Sequence, residues 1–207
     1  TSKFHRAAHR RLAAAGYGVA VVNPLRARLF AEAIGKLAKT DGVDARMLAL
    51  MACQITPDAT APASQTLEDM AEMAHARRKL VEQRTATMLQ HGSTACRSVR
   101  SVLESVIKAL EKAIARLEHR IAKTIQSDTG LARRHAILTS VPSIGPVIAS
   151  TLIVTMAELG AISDKQITAL AGLAPFADDS GPRSGKRHIR GGRPDARQAI
   201  YQAALVA

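Results

Sequence analysis

The amino-acid sequence predicts a mostly α protein made of a partial α/β segment, a coiled-coil helical pair and a helical C-terminal domain. Three observations predict it. Apolar residues recur at steps of three and four along most of the chain from Leu67 onward, the spacing of a helix face. Glycine and proline punctuate those runs at Gly16, Pro24, Gly92, Pro146 and Pro194, where helices stop or start. A short β-branched run, Val19 to Val22, reads as a buried strand near the N-terminus.

The 207 residues carry a formal charge of +12, with a pI near 10.5, and suffice for one or two domains. Basic residues outnumber acidic ones 9 to 4 over residues 1–64, 11 to 8 over 65–130 and 9 to 5 over 131–207, giving +5, +3 and +4. A charge spread along the whole chain fits several parts touching one polyanion, and nucleic acid is the partner it predicts. No apolar run approaches the roughly 20 residues that span a bilayer, and no signal peptide is visible, so no membrane partner and a cytoplasmic location are expected. Aromatic residues make up only 2%, which argues against serial stacking of single-stranded bases. Cys53 and Cys96 form no disulfide framework and no cysteine-rich zinc motif. His5 and His9, one helical turn apart, lack an evident third metal ligand and read as a solvated helix face.

In chain order, residues 3–15 form an Ala-, Arg- and His-rich helix closed by Gly16, followed by the 19–22 strand and an Asn23-Pro24 turn. Helices at about 25–37 and from about 45 through Leu50 complete half an α/β unit, whose strand needs partners that this segment does not supply. Asp41 and Asp44 lie on one face at the start of the later helix. There they can share a magnesium ion, or serve as N-cap and N3 residues favoured by the helix dipole. Residues 55–66, with Pro57 and Pro62, read as a linker. Two long helices follow. In the second, Leu103, Ile107, Leu110, Ile114, Leu117 and Ile121 alternate steps of four and three, with Ile at a and Leu at d of a coiled-coil heptad. That register favours a parallel pair, and hence a homo-oligomer, with an antiparallel hairpin on residues 67–91 as the other solution. The Met70, Met73, Leu80, Met88 stripe reads as core.

Residues 138–153, Leu-Thr-Ser-Val-Pro-Ser-Ile-Gly-Pro-Val-Ile-Ala-Ser-Thr-Leu-Ile, resemble a helix-hairpin-helix, with Ser143 where that motif commonly carries glycine. Backbone N–H groups beyond Gly145 can grip a phosphate without reading bases, although a purely structural helical hairpin has the same pattern. A short helix at about 163–171 leads to a loop where Ser180 and Ser184 stand among glycines, with Arg183, Lys186, Arg187, Arg190, Arg193 and Arg197 close behind; Pro194 starts the last helix. Guanidinium forks pair with phosphate oxygens, so the loop suits a phosphodiester. It can be a binding surface alone or hold a serine nucleophile, and position does not choose between the two hydroxyls.

The order Leu-Ala-Gly-Leu-Ala-Pro-Phe, Asp-Ser-Gly, Gly-Lys-Arg-His-Ile-Arg-Gly-Gly-Arg and Arg-Gln-Ala-Ile-Tyr-Gln-Ala-Ala resembles the C-terminal domain of the insertion-sequence 110/116/902 family of bacterial transposases. Asn-Pro-Leu-Arg-Ala-Arg-Leu-Phe-Ala and Lys-Thr-Asp-x-x-Asp-Ala are similar to the end of that family's RuvC-like DEDD domain. The resemblance implies a RuvC-like α/β remnant at 1–55, a linker and coiled-coil helices at 56–130, and a C-terminal transposase domain at 131–207. It implies a DNA-cutting and rejoining enzyme with Ser180 as nucleophile and Asp41 and Asp44 as two of four Mg2+-binding carboxylates. An RNA encoded by the element, guiding target choice, is implied as a further partner. The first two acidic residues have no counterpart in this sequence, and the match departs again at the C-terminal end, so a fragment is expected. A non-catalytic, dimeric nucleic-acid-binding remnant is the alternative reading.

Overall fold

The computed structural model describes residues 5–36, 38, 40–181 and 185–207. Of the described residues, 68% are helical, and the strands amount to one two-stranded sheet, so the mostly α class holds. The chain divides into two compact units, Thr1–Ser64 and Gln65–Ala207.

The first unit holds α1 (His5–Ala14), α2 (Pro24–Ala33) and α3 (Asp41–Ile55). Asn23 caps α2, its Oδ1 accepting the Leu25 N–H at 2.8 Å, and Pro24 supplies the preset φ of a first helical residue. Helices α2 and α3 pack together, and Ala31, Met47 and Met51 are buried. Residues 19–22 form no strand. A strand needs a ladder, and here the Val19 carbonyl accepts one bond from the Thr60 N–H at 2.8 Å while the Val21 N–H donates to Thr60 Oγ1 at 3.2 Å. The expected α/β character is therefore absent from the described residues of this unit. His9 also departs from expectation. It is buried, and its Nε2 donates to the Thr60 carbonyl at 2.8 Å, so it fastens the 56–64 segment to α1 rather than facing solvent.

The second unit opens with α4 (Gln65–Ser93) and α5 (Arg97–Ser127), joined by three residues. So short a connection dictates an antiparallel hairpin, and the cross-pairs Arg77 with Glu118 and His91 with Glu104 confirm its register. The parallel pairing favoured by the Ile and Leu pattern is thus replaced by the hairpin. Ile114 and Ile121 of the seam are buried, and Leu103, Ile107, Leu110 and Leu117 are half-buried. Met70 is fully buried against Ile121, Ile125, Leu131 and Ile153, as a core stripe requires, whereas Met88 near the hairpin tip is 50% exposed.

Helices α6 (Thr129–Thr139), α7 (Pro146–Thr155), α8 (Asp164–Ala171) and α9 (Pro194–Ala204) close the unit around α7. Helix α7 is apolar on most sides because it packs against α4, α6 and α9. Its Leu152, with Met156, Ala171, Ala196 and Ala199, forms the second core cluster, where small alanines let α9 approach closely. Ser163 and Gln166 form a reciprocal capping box at the start of α8, and Gly172 ends that helix at φ 75°. Arg78 of α4 pairs with Asp195 of α9 at 2.6 Å.

Candidate functional site

The serine loop is the tip of a β-hairpin. Strands β1 (Pro175–Phe176) and β2 (His188–Ile189) pair antiparallel with Phe176 opposite His188. Asp179 holds the two arms together. Its Oδ1 accepts the Gly185 N–H at 3.0 Å and an Arg187 Nη1 hydrogen at 2.6 Å. Gly185 is required here, since a Cβ on it would collide with the Asp178 carbonyl. Ser180 follows at the tip, exposed, with Gly181 behind it at φ 55°. On the return arm Lys186, Arg187 and Arg190 are exposed, and Lys186 and Arg190 have no ion-pair partner among the described residues. Arg183 and Ser184 lie outside the described residues.

The two remaining arginines of the motif face inward. Arg193 makes a two-pronged ion pair with Glu158, Nη2 to Oε1 at 2.6 Å and Nη1 to Oε2 at 2.7 Å, and Nη1 also donates to the Thr155 carbonyl at 2.6 Å. That guanidinium holds the Glu158 carboxyl below its ordinary pKa, against the opposing effect of partial burial. Arg197 donates to the carbonyls of Gly191 at 3.0 Å and Gly172 at 3.4 Å. Beside it, Gly172 and Gly192 meet backbone to backbone, both at positive φ, and a Cβ on either would collide with the other's segment. The Arg193 N–H completes the anchor by donating to the Leu170 carbonyl at 2.9 Å. Arg193 and Arg197 thus fix the base of the hairpin, while Lys186, Arg187 and Arg190 remain at its surface. Asp179 and Glu158 were not singled out in the sequence. Asp179 directly precedes Ser180, and a carboxylate beside an arginine-rich loop is the one local signal for it.

Between α6 and α7, Ser143 has φ 69°, the left-handed conformation that glycine adopts without strain. Gly145 is the N-cap residue of α7, exposed and without a side-chain cap, so the first N–H groups of that helix have no capping acceptor from it.

Asp41 and Asp44 both lie in the first turn of α3, Asp41 exposed and Asp44 half-buried. Neither is the cap. Thr40 holds that place, its Oγ1 accepting the Val43 N–H at 3.3 Å, which leaves both carboxylates out of the capping bond. Among the described residues no three His, Cys, Asp or Glu side chains converge on one point. Cys53 and Cys96 are free thiols. No helix among the described residues is long and apolar enough to cross a membrane.

Comparison with known families gives two matches: a transposase model of the insertion-sequence 110 DEDD type over residues 1–94, and the model "Transposase IS116/IS110/IS902 family" over residues 135–207. The second match contains the whole serine hairpin and its helical base. This chain belongs to the IS116/IS110/IS902 transposase family. Relatives of this transposase chain include the pilin gene-inverting proteins of Moraxella bovis and Moraxella lacunata, each 27% identical over 195 residues covering 91% of the chain. The chain spans 59% of the length of those relatives.

Proposed function

We propose that this chain is the part of a transposase that carries the serine nucleophile for cutting and rejoining DNA strands. The observation that carries the reading is the exposed Ser180 at the tip of a pinned hairpin whose return arm presents Lys186, Arg187 and Arg190. In the cleavage step Ser180 Oγ attacks the scissile phosphorus. A Ser–O–P bond forms, the bond from phosphorus to the leaving sugar oxygen breaks, and the serine proton is balanced by the proton that the leaving oxygen gains. Attack by another sugar hydroxyl on the same phosphorus reverses the exchange and rejoins a strand. Lys186, Arg187 and Arg190, with Arg183, neutralise the charge that develops on the non-bridging oxygens, and Arg193 and Arg197 hold the hairpin that presents them. The turn between α6 and α7 adds a sequence-independent grip through N–H groups beyond Gly145, in the manner of a helix-hairpin-helix.

Asp41 and Asp44 suit a magnesium ion, which takes hard oxygen ligands and is commonly held by one or two carboxylates together with substrate phosphate. Bound there, with further carboxylates from outside this chain, Mg2+ would polarise the scissile phosphate. DNA is the substrate of this reading, and an RNA encoded by the element is its guide. The charge of +12 supports a polyanionic partner.

The test is made on the transposase with its full N-terminal acidic set, incubated with DNA and Mg2+ and probed for a covalent protein–DNA adduct. Ser180→Ala is expected to abolish the adduct and leave DNA binding within about twofold. Undiminished adduct from that variant refutes the role of Ser180, and loss seen only with Ser184→Ala transfers the role there. Salt-sensitive binding with no adduct from the parent protein establishes instead a non-catalytic binding module.

A further inference from the structure

The charges of α5 are sorted by face. Its acidic residues, Glu104, Glu111 and Glu118, all share heptad position e, and two of them are engaged toward α4, Glu118 by Arg77 at 2.7 Å and Glu104 by His91 at 3.1 Å. The side turned away from α4, positions b, c and f, contains no acidic residue from Ser98 to Gln126. It carries instead Lys108, Lys112, Arg116 and Lys123, with His119 in the same line. All five are exposed, and none makes an ion pair among the described residues. At the helical rise the four cations span about 22 Å. The other residues between them on that side are Ala109, Ala115 and Ala122, all small, so nothing bulky holds a partner off the helix.

We infer that the outer face of α5 is a docking rail for the backbone of double-stranded DNA, a site separate from the serine hairpin. The stripe is straight, of one sign and, apart from His119 and from Gln126 at its end, without aromatic or amide side chains, so it fits phosphates rather than base edges. A strand presents about six phosphates over the length of the rail. Lysine predominates, and lysine contacts phosphate as a flexible point charge that tolerates changes of register. A solvated helix surface usually intermixes both signs of charge; here the acids are gathered beside α4 and the cations are left unpaired. The inference rests on the reading of this chain as nucleic-acid-binding and adds a place where a duplex lies that the chemistry of cleavage does not require.

The test compares the whole chain with its Lys108→Ala/Lys112→Ala/Arg116→Ala/Lys123→Ala variant on a 20-base-pair DNA duplex and on an RNA duplex of the same length. Alanine is the best helix former, and the positions are exposed, so helicity and Tm should be retained, to be checked by circular dichroism. Affinity is measured across a salt series. For DNA the magnitude of the slope of log K against log salt is expected to fall by about 3 to 4, roughly 0.9 for each lost contact. Lys165→Ala, a solvated cation on α8, should leave the slope unchanged. A fall with DNA, whether or not the RNA slope falls too, sustains the rail, and a fall with RNA alone overturns DNA as its occupant. Unchanged slopes for both duplexes, with the parent binding in a salt-dependent way, overturn the rail while leaving the nucleic-acid reading intact. No salt-dependent binding by the parent overturns both.

Discussion

Arg193 shows how a residue of a phosphate-loving motif acquires a structural duty. The sequence groups it with five other cations, and local pattern offers no means to separate them, because its partners Thr155 and Glu158 lie more than thirty residues upstream. Removing the guanidinium strands the Glu158 carboxylate and the Thr155 carbonyl together. Arg193→Ala is therefore expected to lower the unfolding free energy by about 1–3 kcal/mol, the range of hydrogen bonds to charged groups with allowance for partial exposure. The pH dependence has a definite sign. The folded Glu158 has a lowered pKa, so its contribution is complete above the ordinary glutamate value of about 4.3 and is lost as pH falls through the lowered value. Thermal melts of parent and Arg193→Ala should accordingly converge as the solution is acidified below pH 4. A gap that widens instead would show that the pair does not set the difference. Ser180 belongs to the same scale but to the opposite case. Its place in a glycine-flanked loop was legible from the Ser-Gly step, and the nucleophile's role is what the family resemblance implies, while the Asp179 tether that shapes its surroundings became visible only when the two arms were paired.

Among the elements, helices were read best. Runs with a strong apolar period and glycine or proline at their ends appear within a few residues of the expected places, including the starts at Pro146 and Pro194. The strand at 19–22 failed for a reason of energetics: β-branched residues favour extended backbone, but only ladder partners turn extension into a strand. The α4–α5 pair failed in its direction alone, since heptad positions report a seam and not the sense of the helix that fills it. The serine hairpin was legible as a loop but not as a pinned one. Its stability depends on glycines that no periodicity reveals, and Gly192→Ala measures that dependence. A methyl group there meets the Gly172 backbone and also requires an unfavourable positive φ of 70°, for an expected cost of about 2–4 kcal/mol. Urea denaturation would record it, and a loss under about 0.5 kcal/mol would mean that the two segments separate freely.

At the scale of the whole molecule, the distribution of charge and apolar surface decides how copies and partners meet. The heptad seam is occupied within the hairpin, so association of copies would draw on what that seam leaves outside. Near the hairpin tip Leu89 of α4 and Val102 of α5 are 71% and 63% exposed, and Met88, Val99 and Val106 are exposed as well. Contiguous exposed apolar surface marks a site of association, and a charge placed among these residues tests for one. Val102→Lys should shift the molar mass seen by light scattering from that of a homo-oligomer toward 22.0 kDa if copies meet at the tip. An unchanged mass for parent and variant would place any oligomer contact elsewhere.

The glycine contact under the serine hairpin has one more consequence. Gly191 and Gly192 have adjacent positive φ values, and Gly172 sits against them at the end of a short helix. Such a joint holds an angle: with Gly172 and Gly192 in backbone contact and Arg197 bonded to the carbonyls of both Gly191 and Gly172, the direction in which the hairpin leaves the helices is set at its base. The position of Ser180 thus depends on a contact made twelve residues along the chain from it.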